Sequence, residues 1–203
     1  MNFLKNCLLS IFCLLAPVFS TSAQETHAVF RDSAYVYRSI REAKENPDQV
    51  FRLNLSKTKL DSFPAEILLF KNLRELDLSK NRLHSLPPEI GQLTQLKRLN
   101  LANNKLDSLP EEIGNLIKLE YLGLNRNVLE SLPASIGKLQ SLEVLELWDN
   151  ELADVPDEIA NLSNLKVLEL RGILFSDEQQ ARIDSLVVKT AKIFMSPSCA
   201  CKN

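Results

Sequence analysis

Residues 73–95 read LRELDLSKNRLHSLPPEIGQLTQ, and the next three segments, 96–118, 119–141 and 142–164, repeat this pattern with a period of 23 residues. The period is kept by the leucines that begin the copies, Leu73, Leu96, Leu119, Leu142 and Leu165, and by those three and five positions later. A fixed period of this length is the signature of a solenoid, in which each copy buries its apolar side against its neighbours. The sequence therefore predicts a stack of similar structural units.

Each copy begins with alternating apolar residues, as in Leu76-Asp77-Leu78. Period two predicts a short strand with one buried face, and stacking the copies predicts a parallel sheet. The six expected strands begin at Val50, Leu73, Leu96, Leu119, Leu142 and Leu165. At the usual spacing of about 4.8 Å they would span roughly 25 Å.

A proline ends each extended stretch, following Leu86, Leu109, Leu132 and Val155. Proline removes a backbone donor and so stops strand pairing. Ile90 and Leu93 then lie one helical turn apart, which predicts a short 3₁₀ or α turn on the convex side of the molecule. We expect an α/β solenoid whose curved parallel sheet forms the concave face.

An asparagine recurs where each copy leaves its strand, at Asn81, Asn104, Asn127 and Asn150. A buried side-chain amide there can bond backbone groups that the turn would leave unpaired. Thr58 stands at this place in the first copy and Ile173 in the last. Terminal repeats are expected to be atypical, so we predict a structural column of asparagines within the interior repeats.

Both ends of the repeat region carry patterns typical of caps. A helix is predicted from Ser33 to Lys44, and a second from Ser176, which forms a capping box with Gln179, to about Val188, followed by a strand at 193–195. The resulting units are a signal segment (1–23), an N-terminal helical cap (24–49), a repeat domain (50–175), a C-terminal cap (176–195) and a flexible tail (196–203).

The first 23 residues have the features of a secretory signal peptide. Lys5 precedes the apolar segment 7–19, and Thr21-Ser22-Ala23 offers a cleavage site before Gln24. The apolar segment is too short to span about 30 Å of hydrocarbon comfortably, although an uncleaved anchor is the alternative. We expect a secreted, periplasmic or cell-surface protein without a membrane span after cleavage.

Two cysteines, Cys199 and Cys201, remain once the signal segment with Cys7 and Cys13 is removed. In an oxidising compartment they could form a tight disulfide or pair with another chain. They could equally be tail residues without a function. Two thiols are too few for a closed zinc site, which takes four ligands.

No catalytic, metal or cofactor site is expected. The net charge of −2 argues against nucleic acid as the main partner, because binding a phosphate backbone needs concentrated Lys and Arg. Of the two histidines, His27 lies near the N-terminus and His84 in a loop position. The repeat provides neither with catalytic partners, and no glycine-rich phosphate loop is present. The chain is therefore expected not to be an enzyme.

The variable positions of the strands are where binding is expected. The first three copies place Arg52, Lys57, Lys80 and Arg98 against Glu75 and Asp77, which gives a basic flank. The last copies place Glu146, Asp149 and Glu169 against Arg126 and Arg171, which gives an acidic flank. Between the flanks lie the apolar Tyr121, Val144, Val167 and Trp148.

The predicted partner-binding residues are Tyr121, Asn125, Arg126, Val144, Glu146, Trp148, Asp149 and Arg171. Binding hot spots are enriched in Trp, Tyr and Arg, and Trp148 is the only tryptophan of the chain. In the alternative interpretation, Trp148 rests on the side chains of Asn125 and Arg171 and only shields the sheet. If the patch binds a partner, the charges on the two flanks predict complementary charge on that partner and would mainly set its orientation and association rate.

The motif LxxLxLxxNxLxxLPxxIGxL over residues 50–175 resembles the 23-residue leucine-rich repeats of Scribble, Erbin and Ras-suppressor-like proteins. It also resembles short bacterial secreted leucine-rich repeat proteins, which the signal segment and both caps favour. Departures within the repeats are Val155 for leucine and Ala160 for glycine. The resemblance implies a curved solenoid used for protein recognition, and we expect a monomer that recognises a protein partner through its concave face. A self-associating surface or matrix protein is the alternative.

Overall fold

The computed structural model describes residues 35–187 and 191–197. Within them, seven parallel strands form one sheet in the order of the sequence. The strands are β1 (Arg52–Asn54), β2 (Glu75–Asp77), β3 (Arg98–Asn100), β4 (Tyr121–Gly123), β5 (Val144–Glu146), β6 (Val167–Leu170) and β7 (Lys192–Met195). The predicted leucine-rich repeat solenoid is confirmed, with β7 as the last strand of the described sheet.

The register of the sheet equals the period of the sequence. Leu53 pairs with Leu76, which pairs with Leu99, and each interior step to the next strand is again 23 residues. Equivalent residues of successive copies therefore lie directly side by side. Because side chains alternate across a strand, the middle leucines point into the core and their neighbours point out.

Short 3₁₀ helices form the opposite side of the repeats, at Ala65–Leu69, Pro88–Gln92, Glu111–Asn115, Ala134–Lys138 and Asp157–Asn161. Each follows a proline in extended conformation, which serves as its N-cap residue. Their isoleucines, such as Ile90 and Ile113, are fully buried against the strand leucines. One continuous apolar core thus lies between the sheet and the 3₁₀ helices.

Glycine in the 3₁₀ helices allows neighbouring repeats to approach closely. A Cβ at Gly114 would lie 2.6 Å from the carbonyl oxygen of Ser135 in the next repeat. In the last repeat the equivalent residue is Ala160, and the next element that packs against its 3₁₀ helix is the C-terminal α-helix and not another 3₁₀ helix. In the first repeat the equivalent residue is Leu68. The helix containing Leu68 packs less closely on its neighbour than the interior ones do, which leaves room for its side chain.

The N-terminal cap differs from the predicted helix. Only Ile40–Ala43 (α1) is α-helical, with Ser39 as its N-cap, so the prediction is wrong for 35–39. The Tyr37 N–H donates to the Arg52 carbonyl, and the Asn54 N–H donates to the Tyr37 carbonyl. Backbone bonds to the open side of β1 replace those of a helix, because an unpaired strand edge offers donors and acceptors.

The C-terminal cap is the predicted helix and strand. Helix α2 spans Asp177–Leu186, and its Ser176 and Gln179 form the predicted capping box. The Arg182 guanidinium bonds the Asp157 carboxylate, Asp154 at 2.5 Å and the Val155 carbonyl at 2.6 Å. These bonds, chiefly the one to Asp154, raise the pKa of Arg182. The cap is therefore fastened to the last full repeat.

Several predicted features lie outside the described residues: the signal segment, His27, Cys199 and Cys201. No helix among residues 35–187 and 191–197 is long and apolar enough to cross a membrane. The division of the chain into units remains a prediction.

Candidate functional site

The outward-facing side of the sheet carries the variable residues. We define the strand face as the outward side chains of β1–β7 together with the two residues that follow the last buried leucine of each strand segment, namely Leu55, Leu78, Leu101, Leu124, Leu147 and Leu170. The register places Tyr121 beside Val144, and Val144 beside Val167, on β4, β5 and β6. All three side chains are half-buried, and so is Trp148 after β5. The structure thus gathers the apolar strand positions into one patch.

Tyr121 is held in one orientation by both neighbouring strands. The Arg98 guanidinium lies 4.4 Å from the centre of its ring, and the Tyr121 hydroxyl donates to Glu146 Oε2 at 2.9 Å. The pKa of the Tyr121 phenol is raised, chiefly by burial and next by the hydrogen bond to Glu146. A Cβ at Gly123 would lie 2.7 Å from the Tyr121 hydroxyl oxygen, so glycine is needed for the tyrosine to reach Glu146.

Trp148 is covered by Arg126, whereas the alternative interpretation had it rest on Arg171. The Arg126 guanidinium lies 4.7 Å from the ring centre, and Arg126 Nε is 3.5 Å from Asp149 Oδ2. The guanidinium of Arg171 instead bonds Glu169 through Nε and Nη2, each at 2.7 Å. Two of the predicted binding residues, Arg126 and Trp148, therefore form a stacked pair on the strand face.

The acidic flank carries less free charge than its composition suggests. Glu146 accepts the Tyr121 hydroxyl and Asp149 lies close to Arg126. Glu169 is buried, and its bidentate bond to Arg171 raises the pKa of that arginine. Each carboxylate of this flank has a donor within the strand face, which the sequence columns alone did not reveal.

A pocket of about 320 Å³ lies on the strand face over β1–β4. Its charged lining residues are Arg38, Arg52, Glu75, Asp77 and Arg98, and Tyr121 closes one side. Arg52 Nε bonds Glu75 Oε2 at 2.7 Å. Asp77 accepts the Ser79 N–H at 2.9 Å and the Asn54 side-chain amide at 3.5 Å. This pocket therefore lies at the basic flank, which forms the basic end of the strand face.

Sequence reasoning missed two residues of this surface, Arg38, which lines the pocket, and Phe194 on β7. Arg38 was assigned to a helix, whereas it follows Tyr37, which pairs with β1. Phe194 pairs with Glu169 and lies under the Arg171 guanidinium, 5.7 Å from the ring centre. The alternation in Lys192-Ile193-Phe194-Met195 was a signal that could have placed Phe194 on the outward face.

The asparagine column supports the turns that carry these side chains. Asn127 Nδ2 donates to the carbonyls of Leu101 and Leu124, and its Oδ1 accepts the Leu106 N–H. Asn81, Asn104 and Asn150 make equivalent bonds. The residue before Asn127, Arg126, has a positive φ of 57°. This left-handed turn, repeated in successive copies, sets where the residues after each strand point.

No chemistry beyond binding is evident in the part of the chain that the structure describes. It contains no group of three or more His, Cys, Asp or Glu side chains that could hold a metal ion. His84 is exposed. Side chains with a shifted pKa, such as Tyr121, are held by neighbouring repeats and do not form a pair of nucleophile and general base.

Models of two leucine-rich repeat families match the sequence. One, described as a leucine-rich repeat region, matches residues 107–186, and the other, described as a leucine rich repeat, matches 71–129. A search of curated proteins gives no match.

Two solved structures are similar to this chain. A leucine-rich repeat protein of Leptospira interrogans is 31% identical, with a TM-score of 0.51, over 79% of this chain and 54% of that one. A TDR receptor is 26% identical, with a TM-score of 0.56, over 71% of this chain and 27% of that one. The chain thus spans about half the length of the first and about a quarter of the second.

Sequence period, strand register and family models agree on one architecture. Proteins of this architecture generally act as protein-interaction modules and are typically non-catalytic. The chain is a leucine-rich repeat protein.

Proposed function

We propose that this protein is a non-catalytic binding module that recognises a partner protein through the strand face. The partner-binding residues are those predicted from the sequence and centred on Tyr121 and Trp148, with the exception of Asn125, which is buried. The proposal is carried by one observation: both aromatic side chains are half-exposed and are already fixed by stacked arginines.

Fixed aromatic side chains favour binding for a physical reason. Ordering a mobile side chain at an interface costs about 0.5–1.5 kcal/mol, and a side chain that is already ordered avoids most of that cost. Tyr121 is ordered by Arg98 and Glu146, and Trp148 by Arg126. Each ring therefore presents apolar surface with a small entropic penalty, as expected of a hot-spot residue.

The test is partner capture by wild-type protein, by Trp148→Ala and by a matched control. Ile117→Ala is suitable, because Ile117 is 56% exposed and lies outside the strand face. If Trp148 is a hot spot, its truncation costs about 2 kcal/mol, a roughly thirty-fold loss of affinity. Equal affinities of the Trp148→Ala and Ile117→Ala proteins for the captured partner would place the interface elsewhere.

We also propose that the protein acts outside the cytoplasm, either secreted, in the periplasm or at the cell surface. The support is residues 1–23, with a basic residue, an apolar run and a small-residue cleavage site in that order. Cell fractionation with sequencing of the N-terminus tests this. A chain that begins at Gln24 in the exported fraction is expected, whereas a cytoplasmic chain that begins at Met1 contradicts it.

A second candidate function is self-association through the C-terminal cap. Leu174 is 72% exposed and Phe194 is 41% exposed, and both lie at this end of the described sheet. Light scattering across a range of protein concentrations distinguishes the two candidates. A constant monomer mass excludes self-association, whereas an increase that Leu174→Ser abolishes supports it.

A further inference from the structure

We infer that the pocket over β1–β4 binds an acidic side chain of the partner, with the Arg98 guanidinium as its principal contact. This inference rests on the proposed protein-binding function and adds the chemistry of the bound segment. The occupant is an Asp or Glu residue within a peptide segment that also covers Tyr121, because Tyr121 lines the pocket and belongs to the apolar patch.

The charges that line the pocket leave Arg98 available. Of the two carboxylates, Glu75 is engaged by Arg52 at 2.7 Å, and Asp77 accepts from the Ser79 N–H and the Asn54 amide. No carboxylate of residues 35–187 or 191–197 lies within ion-pair distance of Arg98, and its guanidinium stacks on the Tyr121 ring. Three arginines against two carboxylates give the lining a formal charge of +1.

The stacking of Arg98 prepares it for a carboxylate. A guanidinium that lies on an aromatic ring uses its face, so the N–H donors along its edge remain open to a ligand. That edge matches a carboxylate in a two-point hydrogen bond. Asn100 lines the same pocket, and its Oδ1 already accepts the Ala102 N–H at 3.2 Å. Asn100 would therefore contribute amide donors, which again suit an anion.

A side-chain carboxylate fits this pocket better than a dianion does. Glu75 and Asp77 line it and would repel a second negative charge, and the formal charge of +1 balances one carboxylate. The remaining cations of the basic end, Lys57 and Lys80, are exposed beside it and would attract an acidic segment during approach. The chain as a whole has a net charge of −2, so this attraction is local to the basic end.

The experiment titrates the purified protein with two end-blocked peptides that differ in one carboxylate, Ac-Gly-Leu-Glu-Leu-Gly-NH₂ and its amide counterpart Ac-Gly-Leu-Gln-Leu-Gly-NH₂. Binding is followed by NMR of the arginine Nε–Hε groups. We expect the acidic peptide to bind roughly tenfold more tightly, the effect of one charged hydrogen-bonded contact, and to shift the Arg98 signal. Arg98→Gln should remove most of this preference.

Arg74→Gln is the matched control. Arg74 is also exposed and stacked, with its guanidinium 5.0 Å from the Phe51 ring centre, but it does not line the pocket. The Arg74→Gln substitution removes the same charge as Arg98→Gln. If Arg98 acts by direct contact, the affinity of the Arg74→Gln protein for the acidic peptide should stay within about twofold of wild type. Glu75→Gln raises the formal charge of the lining and should tighten binding of the acidic peptide by about twofold or more. Thermal unfolding checks that each variant folds.

Three outcomes would overturn the inference. They are equal losses for Arg98→Gln and Arg74→Gln, equal binding of the two peptides, and displacement of the acidic peptide by an equal concentration of inorganic phosphate. If one of these occurs while partner capture still depends on Trp148, the proposed function stands and only the pocket assignment is wrong. Arg98-dependent peptide binding without Trp148-dependent capture would instead support the pocket and contradict the apolar anchors.

Discussion

Replacing Asn127 by alanine should destabilise the solenoid strongly, although the side chain contacts no ligand. Asn127 is 6% exposed and makes three hydrogen bonds to backbone groups: to the carbonyls of Leu101 (3.1 Å) and Leu124 (2.8 Å), and from the Leu106 N–H (3.0 Å). A net hydrogen bond contributes about 1 kcal/mol, and an orphaned buried backbone group costs 1–3 kcal/mol. The Leu101 and Leu124 carbonyls keep bonds from Asn104 and Asn150, so only the Leu106 N–H is orphaned. Two lost bonds and one orphaned N–H give an expected loss in the free energy of unfolding of about 3–5 kcal/mol.

The assay is urea unfolding followed by both far-ultraviolet circular dichroism and Trp148 fluorescence. Coincident transitions from the two probes define a two-state free energy for wild type and variant. Asn115→Ala is the control, because Asn115 is exposed in a 3₁₀ helix and an exposed substitution changes stability by about 0.5 kcal/mol or less. A loss below about 1 kcal/mol for Asn127→Ala would refute the view that the asparagine column supports the turns.

Three further predictions concern packing and ionisation. Gly114→Ala should cost about 1–3 kcal/mol by urea unfolding, because its Cβ would lie 2.6 Å from the Ser135 carbonyl oxygen, and a loss no greater than that of Asn115→Ala would contradict the close packing. Ser135→Ala should raise stability by about 1 kcal/mol, because the buried Ser135 hydroxyl has no hydrogen-bond partner among the described residues, and a lower thermal midpoint would speak against it. Tyr121 should remain un-ionised above the ordinary tyrosine pKa of 10.0, so the folded state binds its proton more tightly than the unfolded state and stability falls as pH rises through that value. Tyr121→Phe should lessen this fall, and an ultraviolet titration in which Tyr121 ionises near pH 10 would show that its pKa is not raised.

The sequence predicted most of the fold because the relevant interactions recur at the period of the chain. Equivalent leucines pair strand to strand, so the register of β2 on β3 follows from the period alone. The Asn127 bonds join residues that hold equivalent places in neighbouring copies, and these too can be read from spacing. The helix predicted for the N-terminal cap was too long because the apolar spacing of residues 35–39 suits a helix. Their pairing with β1 depends on an open strand edge that only the assembled sheet provides.

The candidate site was only partly predictable for a related reason. The sequence columns gave the composition of the strand face, including Tyr121 and Trp148. They could not show that Arg98 and Arg126 stack on these rings, because the direction of a long side chain is decided by its neighbours on adjacent strands. Arginines also pair with Asp149 and Glu169, and Glu146 accepts the Tyr121 hydroxyl. The carboxylates of the acidic flank are therefore engaged, while Arg98 at the basic end keeps its N–H donors open.

The claim that the strand face binds a protein partner is tested most directly by hydroxyl-radical footprinting of the complex. This measurement compares the oxidation of exposed side chains in free and bound protein. Tyr121 and Trp148 should be oxidised several-fold more slowly in the complex, whereas the exposed Leu69 and Ile117, away from the strand face, should react at unchanged rates. Protection of Leu69 and Ile117 with unchanged oxidation of Tyr121 and Trp148 would contradict the account.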